Sequence, residues 1–430
     1  MNPTTAHWPV RPFAEVADYK AGKTPARANA AYWAKSENVV PWVSISDLEP
    51  FGVVMSTKEE ANQLAFNEVF RGKLVPAGTL LMSFKLTIGR VATLGVPAVH
   101  NEAIISIYPR AGIDQRFLGY YLSKYDYGQL QDRQIKGNTL NKSKIDRIPV
   151  PVPPEEEQAA IADVLDRIRQ GILLQDSIFS NLSKLKRAAM QQLFTQGLRG
   201  EVQKSTEIGP IPESWFVRRL DSHADVLSTR MSYTELQGMM PSDGETTVRV
   251  LGIKVSDMNT PGNEVELDDA ALEVSVDIDV AKARCAPPGA IIFPKRGAAI
   301  ATNKKRIAPT WTAFDPNVIG VVARRGLNQR FLFHWFQSFD LRTITDLGPT
   351  PQLNKKSLEP LLLPLPPSTD EQEEIAEVLD SLDRKINLHR RKREVLDQLF
   401  KSVLHKLMTG ECAVKDLDIS ALSVAEGKVA

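Results

Sequence analysis

A duplicated stretch constrains this 430-residue chain more than any other feature. Its first copy begins at Leu140 with Leu-Asn-Lys-Ser, and its second begins at Leu353 with Leu-Asn-Lys-Lys, 213 positions later. Both copies then pass through a proline run, at residues 149–154 and 364–367, into a long helical pattern. Self-similarity at this distance indicates a tandem of whole domains, because solenoid repeats have much shorter periods.

The duplication continues upstream of the proline runs. The tetrapeptide Gln-Arg-Phe-Leu occurs at residues 115–118 and again at 329–332, and the region around Trp8 returns around Trp215. The offset drifts between 207 and 214 positions, as small loop insertions would produce. The predicted plan is therefore a variable domain, a long helix, a second variable domain and a second long helix.

Each variable domain has the pattern of mixed secondary structure. Short β-branched and apolar runs predict strands, and aromatic residues at helical spacing predict one helix after them. The first domain carries these signals at residues 39–45, 79–85, 91–94, 103–108 and 115–123, and the second repeats them at 248–255, 288–297, 318–322 and 329–336. The predicted fold class is α/β in the α+β sense, with two similar domains.

The proline runs predict stiff exits from these domains. Proline cannot continue a helix, and the residue before it is pushed towards an extended conformation. Acidic residues follow each run, at 155–157 and 370–371. Carboxylates at these positions favour a helix start, because they complement the positive end of the helix dipole.

The two long helical segments carry apolar residues at alternating spacings of four and three. A sustained 3.5-residue repeat predicts a coiled-coil seam. Gln175 and Lys186 interrupt the seam in the first helix, and His389 and Arg393 interrupt it in the second; these are either water-exposed breaks or a device that fixes the register. The predicted seam consists of Ile161, Leu165, Ile168, Ile172, Phe179, Leu182, Ile375, Leu379, Leu382, Ile386, Leu396 and Phe400.

Composition excludes several classes of protein. No apolar run approaches the ~20 residues of a membrane-spanning helix, and the N-terminus lacks the apolar core of a signal peptide. Cys285 and Cys412 form no spacing motif and suit a reducing cytoplasm. The formal net charge of +1 is low for a DNA-binding protein that acts alone and fits one that shares DNA with basic partners.

No catalytic constellation is visible in the sequence. The chain has no phosphate-binding Gly-x-x-x-x-Gly-Lys loop, no glycine-rich cofactor loop and no Asn-Pro-Pro-aromatic motif of an adenine methyltransferase. The six histidines are scattered without the spacing of metal ligands. We therefore expect no catalytic residues, no metal site and no bound cofactor in this chain.

The segments after the prolines resemble a known family. They run Pro-Val-Pro-Pro-Glu-Glu-Glu-Gln-Ala-Ala-Ile-Ala-Asp-Val-Leu-Asp at 151–166 and Pro-Leu-Pro-Pro-Ser-Thr-Asp-Glu-Gln-Glu-Glu-Ile-Ala-Glu-Val-Leu-Asp at 364–380. Both copies resemble the hallmark of specificity (S) subunits of type I restriction–modification systems, over about residues 8–411. The expected organisation is a first target recognition domain at 1–154, a spacer helix at 155–200, a linker at 201–211, a second target recognition domain at 212–367, a second spacer helix at 368–411 and a flexible tail at 412–430.

The resemblance implies a function and a set of partners. Each target recognition domain would bind one half of a bipartite site in double-stranded DNA, while the helices, paired antiparallel with pseudo-two-fold symmetry, would set the gap. Periodicity alone also permits helix pairing between chains. The implied partners are two methyltransferase (M) subunits and restriction (R) subunits in the cytoplasm, and those subunits would carry S-adenosylmethionine, ATP and Mg²⁺.

Basic and hydroxyl residues in turns near strand ends are the candidate DNA contacts. Lysine and arginine neutralise phosphates, and arginine also binds guanine in the major groove. A solvated surface charge is the alternative interpretation of each. The candidates are Lys85, Thr87, Arg90, Lys295, Arg296, Lys304, Lys305 and Arg306.

Two other functional classes remain open from the sequence. The chain is a catalytic nuclease subunit if it cleaves or methylates DNA in isolation. It is an assembly scaffold if its variable domains bind protein and produce no sequence-dependent retardation of DNA.

Overall fold

The structure is a computed structural model that describes residues 8–34, 37–130, 139–228, 231–242, 244, 246–345 and 351–417. It divides into two compact units, one comprising residues 1–174 and 393–430 and the other residues 175–392. Each unit contains a mixed domain of strands and short helices together with part of each long helix. The predicted fold class and the duplicated plan are confirmed.

Short strands and helices alternate along both domains. The strands are β1 (Val10–Pro12), β2 (Ala17–Ala21), β3 (Val39–Val43), β4 (Gly52–Val54), β5 (Glu59–Asn62), β6 (Leu80–Ser83), β7 (Val91–Leu94), β8 (Val99–His100), β9 (Ile104–Pro109), β10 (Pro149–Pro151), β11 (Gln203–Thr206), β12 (Gly209–Pro212), β13 (Phe216–Arg219), β14 (Ala224–Leu227), β15 (Thr247–Ile253), β16 (Leu272–Asp277), β17 (Ile291–Pro294), β18 (Arg306–Ile307), β19 (Trp311–Phe314), β20 (Val318–Ala323) and β21 (Leu362–Leu365). The helices are α1 (Phe13–Val16), α2 (Gln63–Glu68), α3 (Gln115–Lys124), α4 (Lys142–Asp146), α5 (Glu155–Gln196), α6 (Tyr233–Gln237), α7 (Ile278–Arg284), α8 (Ala298–Ala301), α9 (Gln329–Ser338), α10 (Lys355–Leu358) and α11 (Thr369–Thr409).

The two domains share one sheet topology. The first has a sheet of order β2-β9-β6-β7-β4 and a smaller sheet of order β5-β3-β8. The second has the matching orders β14-β20-β17-β18 and β16-β15-β19. In both smaller sheets the central strand has one antiparallel and one parallel neighbour. The first domain differs by the additional strand β4, which pairs parallel with β7.

The helix after the last strand of each large sheet begins with the same cap. Asp114 accepts hydrogen bonds from the backbone N–H groups of the second and third residues of α3, and Asn328 does the same for α9. Such side chains satisfy N–H groups that have no partner within the helix. The aromatic residues that predicted these helices are buried, including Phe117 and Phe331 at 1% and 0% exposure.

Each proline run forms a short strand in addition to the predicted extended exit from the domain. Strand β10 pairs antiparallel with β1, and β21 pairs antiparallel with β13, so each run closes its domain against the domain's own first strand. Both are two-stranded ribbons. Proline is tolerated there because each strand has a free edge for the position that lacks an N–H group.

The long helices pack in opposite directions within each unit. In the first unit, the start of α5 contacts the end of α11 through Ile161, Leu165 and Phe400. In the second unit, the end of α5 and the start of α11 join one core, to which Phe194 and Ile375 belong. The antiparallel, intramolecular packing of the two helices is therefore confirmed.

The predicted linker and the described part of the predicted tail both contain regular structure. The predicted linker at 201–211 contains a hairpin in which β11 pairs antiparallel with β12. Of the predicted tail, residues 412–417 include a 3₁₀ turn at Val414–Asp416, and Val414 and Leu417 pack against the first unit's core; residues 418–430 lie outside the described residues. None of the helices in the described ranges has the length and apolarity of a membrane span.

Candidate DNA interface and its attachment to the long helices

The turn between β6 and β7 holds the first group of predicted DNA contacts. Its path is tight: the Gly89 N–H donates to Ser83 O over 2.9 Å, and the Arg90 N–H donates to Ser83 Oγ over 3.1 Å. Gly89 has a φ of 81°, and a Cβ there would lie 2.5 Å from the Tyr127 ring. Thr87 is exposed at the tip, whereas Lys85 and Arg90 are partly buried on the two flanks. The turn is thus a firmly held projection with one cation on each side.

The matching turn in the second domain follows β17 and holds Lys295 and Arg296. The Leu353 N–H donates to Lys295 O over 2.8 Å, just as the Leu140 N–H donates to Phe84 O over 2.9 Å in the first domain. Arg296 is exposed and Lys295 is partly buried. The repeated leucine therefore fixes the base of the turn in both domains. The residues just before each leucine, 131–138 and 346–350, lie outside the described residues.

Lys304, Lys305 and Arg306 were predicted to form a cationic surface, but two of the three side chains are buried. Lys305 is 1% exposed, and its ammonium donates to Phe339 O over 2.6 Å and to Asn303 Oδ1 over 2.8 Å. Arg306 is 9% exposed and donates to Met258 O over 3.1 Å. In this conformation neither side chain is available to a phosphate, so only Lys304 of this cluster remains a surface candidate. Its ammonium donates to Asn259 Oδ1.

Burial lowers the pKa of both side chains. It lowers the pKa of Lys305 to about 8, although the carboxylate of Asp340 acts in the opposite direction. It also lowers the pKa of Arg306 to about 10. Both side chains hold neighbouring loops together through backbone carbonyls, a role that the sequence did not reveal.

A buried glutamine attaches each domain to the start of a long helix. In the first unit, Gln158 accepts a hydrogen bond from Asp114 N over 2.9 Å and donates to Gly112 O and Pro153 O over 3.0 and 2.9 Å. In the second, Gln372 accepts from Asn328 N over 2.7 Å and donates to Gly326 O over 3.2 Å. These glutamines are 0% and 1% exposed. Each therefore fastens the loop before the aromatic helix to the start of the long helix.

An arginine–aspartate pair adds a second attachment in each unit. In the first, Arg116 Nη1 lies 3.0 Å from Asp166 Oδ2, and in the second, Arg330 Nη2 lies 2.6 Å from Asp380 Oδ1. Burial alone would raise the pKa of Asp380, but hydrogen bonds from His334 and Arg330 outweigh it and bring the pKa to about 2. This carboxylate is ionised at neutral pH and holds α9 against α11.

The third member of this contact differs between the units. The Tyr120 hydroxyl donates to Asp166 Oδ1 over 2.5 Å in the first unit, whereas His334 Nε2 lies 2.7 Å from Asp380 Oδ1 in the second. Tyr120 also packs in an aromatic cluster with Phe51 and Phe400. At this position the first unit thus has a tyrosine in an aromatic cluster, whereas the second unit has a histidine beside the carboxylate.

The predicted seam residues lie on the inner faces of the long helices. Of the twelve, eight are buried, and Ile172, Phe179, Leu182 and Leu396 are partly buried. Three of the four predicted polar interruptions, Gln175, His389 and Lys186, take part in contacts between the two helices. Gln175 Oε1 lies 2.7 Å from His389 Nδ1, and the Lys186 ammonium lies 2.6 Å from Asp383 Oδ1. Since Gln175 is only 9% exposed, this pair is not a water-exposed break in the seam.

Sequence reasoning assigned no role to the glutamines or to the arginine–aspartate pairs. A signal was present, because Gln158 and Gln372 lie 214 positions apart, as do Arg116 and Arg330. Polar residues that recur in a duplicated chain at the repeat distance are candidates for a shared structural role. The contacts involving Lys186 and Asp383 left no such signal, because the first unit contains different residues at the matching positions.

Known proteins share sequence similarity with this chain over most of its length. The family described as Type I restriction modification DNA specificity domain matches residues 6–178 and 280–398. The type I restriction enzyme MjaIX specificity subunit of Methanocaldococcus jannaschii is 25% identical over 437 residues, covering 95% of this chain and 94% of that protein. The MjaVIII specificity subunit of the same organism is 25% identical over 356 residues, covering 76% and 77%.

Solved structures share the fold. The S subunit of a type I restriction-modification system from M. genitalium has a TM-score of 0.60 at 13% identity, with 94% of this chain and 96% of that chain covered. A chain from a study of complex assembly in the type I R-M system has a TM-score of 0.51 at 16% identity, with 94% and 98% covered. Because the family match spans more than half of its residues, the chain belongs to the type I restriction modification DNA specificity family.

Proposed function

We propose that this chain is the DNA-recognition subunit of a type I restriction–modification complex and that each of its two domains binds one half of a bipartite target. One observation carries the proposal. Two domains of the same topology are each fastened to the start of a long helix by the same buried glutamine and the same arginine–aspartate pair. A firmly attached domain holds its DNA-contacting turn at a defined position, as recognition of two half-sites across an unread gap requires.

The turns at 84–90 and 295–297 are the proposed base- and phosphate-contacting surfaces. They are equivalent in the two domains, and both carry cations at a strand end. The proposed contacts in these turns are Lys85, Thr87, Arg90, Lys295 and Arg296, and Lys304 is an additional proposed contact outside them. Arginine is best suited to guanine because its guanidinium makes two parallel hydrogen bonds to that base in the major groove.

The outer faces of the long helices are the proposed binding surfaces for methyltransferase subunits. Leu174 and Leu185 on α5 are 38% and 54% exposed, and Leu388 and Leu399 on α11 are 50% and 39% exposed. Each pair is 11 positions apart, which is about three helical turns, so its members share one face. An apolar pair repeated on two helices suits two copies of one partner.

Catalysis would reside in the partners. We propose that the methyltransferase subunits bind S-adenosylmethionine and methylate adenine, that restriction subunits use ATP and Mg²⁺ for translocation and cleavage, and that the assembly acts in the cytoplasm. This chain would recognise the target sequence and set the distance between the two half-sites, and it would catalyse no reaction of its own.

The test is to co-express the chain with the methyltransferase subunit of the same restriction–modification system and to map adenine methylation across the host genome by single-molecule sequencing. We expect one bipartite motif with a fixed gap, present only when both proteins are expressed. An active complex without any motif would favour the scaffold hypothesis. Methylation or cleavage by the isolated chain would favour the catalytic one.

A further inference from the structure

A polar cluster lies in the second unit where α9, α5 and α11 meet. His334 comes from α9, Lys186 from α5, and Asp380 and Asp383 from α11. One potential metal-binding atom from each of His334, Asp380 and Asp383 lies within 4.8 Å of the other two. The proposed DNA-recognition role does not use these side chains beyond the attachment of α9 to α11.

The imidazole of His334 is oriented as metal-binding histidines are. Its Nε2 lies 2.7 Å from Asp380 Oδ1, and because an ionised carboxylate only accepts hydrogen bonds, Nε2 carries the proton. Nδ1 then presents a lone pair. A carboxylate behind the other ring nitrogen is the usual arrangement that fixes the tautomer of a metal-binding histidine.

The lone pair of Nδ1 has no hydrogen-bond partner within the described residues, although the His334 side chain is completely buried. It faces Asp383, whose Oδ2 lies 4.0 Å away. Zinc binds histidine nitrogen and aspartate oxygen at ~2.0–2.2 Å. An ion between these two atoms therefore needs only a small closure of the 4.0 Å separation.

Charge within the cluster also favours an additional cation. Asp380 and Asp383 face the cations Lys186 and Arg330, and the half-exposed Glu266 adds a third carboxylate on the other side of Arg330. With His334 neutral, one negative charge is uncompensated. A divalent ion that takes the place of the Lys186 ammonium would make the cluster neutral, because two positive charges would replace one.

The structure provides space for the lysine to move. A cavity of about 550 Å³ borders Lys186 and is lined by Ser183, Gln191 and Ser338 among others. The ammonium now lies 2.6 and 2.7 Å from the two oxygens of Asp383. The cavity is open to solvent, and both polar and apolar side chains line it. Rotation of the flexible lysine side chain into it would keep the ammonium hydrated and leave the Asp383 carboxylate free.

We propose that this cluster binds one divalent transition-metal ion of the zinc class, with His334 Nδ1 and Asp383 as protein ligands. Asp380 orients the imidazole, and water completes the coordination. The ion ties the aromatic helix of the second domain to the long helices. The matching positions of the first unit are Tyr120, Arg169 and Phe400, so the site belongs to the second unit alone.

The test uses the purified full-length chain in metal-free buffer. Co²⁺ binding is followed by visible absorption and Zn²⁺ binding by calorimetry. We expect one saturable ion per chain and a rise in the thermal unfolding temperature of wild type with Zn²⁺, because a ligand that binds only the folded state stabilises it. His334→Tyr, which introduces the residue of the first unit, should weaken binding at least tenfold. His405→Gln, a histidine change outside the cluster, should leave it unchanged.

A second variant keeps the test decisive if His334→Tyr folds poorly. Lys186→Met removes the competing ammonium and should bind Co²⁺ more tightly than wild type, whereas a purely structural Lys186–Asp383 ion pair predicts only lower stability. Absence of saturable binding in both wild type and Lys186→Met overturns the proposal. Equal metal binding by wild type and a folded His334→Tyr also overturns it. So does a cluster that binds a proton at low pH but binds neither Co²⁺ nor Zn²⁺.

Discussion

Gln175 and His389 are equivalent positions of the two repeats, 214 residues apart, and they bond to each other across the long helices with 2.7 Å between Oε1 and Nδ1. A polar contact in a mostly apolar seam favours one alignment, because a shift of one helix along the other leaves a buried amide without its partner. This pair is therefore well placed to fix the register of the spacer.

Replacing one member of this pair should cost more than replacing both. His389→Leu leaves the buried amide of Gln175 unpaired, which we expect to lower the free energy of unfolding by ~1–3 kcal/mol. The double variant Gln175→Leu/His389→Leu should recover that loss of stability. Its complex should, however, methylate DNA sites with a less uniform gap between the two half-sites. Urea denaturation tests the first expectation, and the gap length in methylation maps of the co-expressed complex tests the second. Equal stability of the single and double variants would contradict the role in register.

The glutamine attachments should act on separate units. Gln158→Leu leaves Asp114 N and two carbonyls without their partner, so we expect a loss of ~1–3 kcal/mol in the first unit. Gln372→Leu should do the same in the second. Hydrogen exchange measured by mass spectrometry locates the effect, since faster exchange should appear at 112–117 in one variant and at 326–331 in the other. Uniformly faster exchange throughout the chain would reject the interpretation.

Lys305 should give the second unit a distinctive pH dependence. Its pKa is about 8 in the folded protein, mainly because of burial, and its ordinary value is 10.5. Between these values the unfolded chain binds more protons than the folded one, so stability rises with pH across this window. Lys305→Met should remove this rise, which is on the order of 2 kcal/mol. The measurement is the difference in unfolding free energy between wild type and variant at pH 7.5 and pH 9.5. A difference that does not change with pH would contradict it.

The repeated architecture could be predicted from the sequence because it depends on patterns of neighbouring residues. Strand and helix signals recur at a nearly constant offset, and the seam follows from the spacing of apolar residues along each helix. Burial of Lys305 was not predictable in this way, since its hydrogen-bond acceptor, Phe339 O, comes from a segment 34 residues away. The cluster at His334 was missed for the same reason: its residues come from three helices, and a search for close ligand spacing in the chain passes over them.

The seam itself can be distinguished from the outer helix surface. Leu165→Asp and Leu379→Asp each bury an unpaired charge at a position that is 0% exposed, so a loss on the order of 3 kcal/mol or more is expected. Leu185→Asp is the matched control, because this leucine is 54% exposed and the stability change should be within ~0.5 kcal/mol. Thermal unfolding measures stability, and co-purification with the methyltransferase measures assembly. Normal stability of both seam variants would refute the coiled-coil packing, whereas Leu185→Asp should weaken assembly alone.

The equivalent turns provide a test of independent recognition. If each domain binds one half-site, Arg90→Gln should affect one half of the methylated motif and Arg296→Gln the other. Loss of a base contact costs ~1–3 kcal/mol and relaxes the sequence preference at that position. Loss of a phosphate contact would weaken binding to all sequences and reduce the salt dependence of affinity by about one unit of slope. Methylation mapping and DNA binding at several salt concentrations distinguish these two outcomes. A change in both halves of the motif by either single variant would reject the assignment of one domain to each half-site.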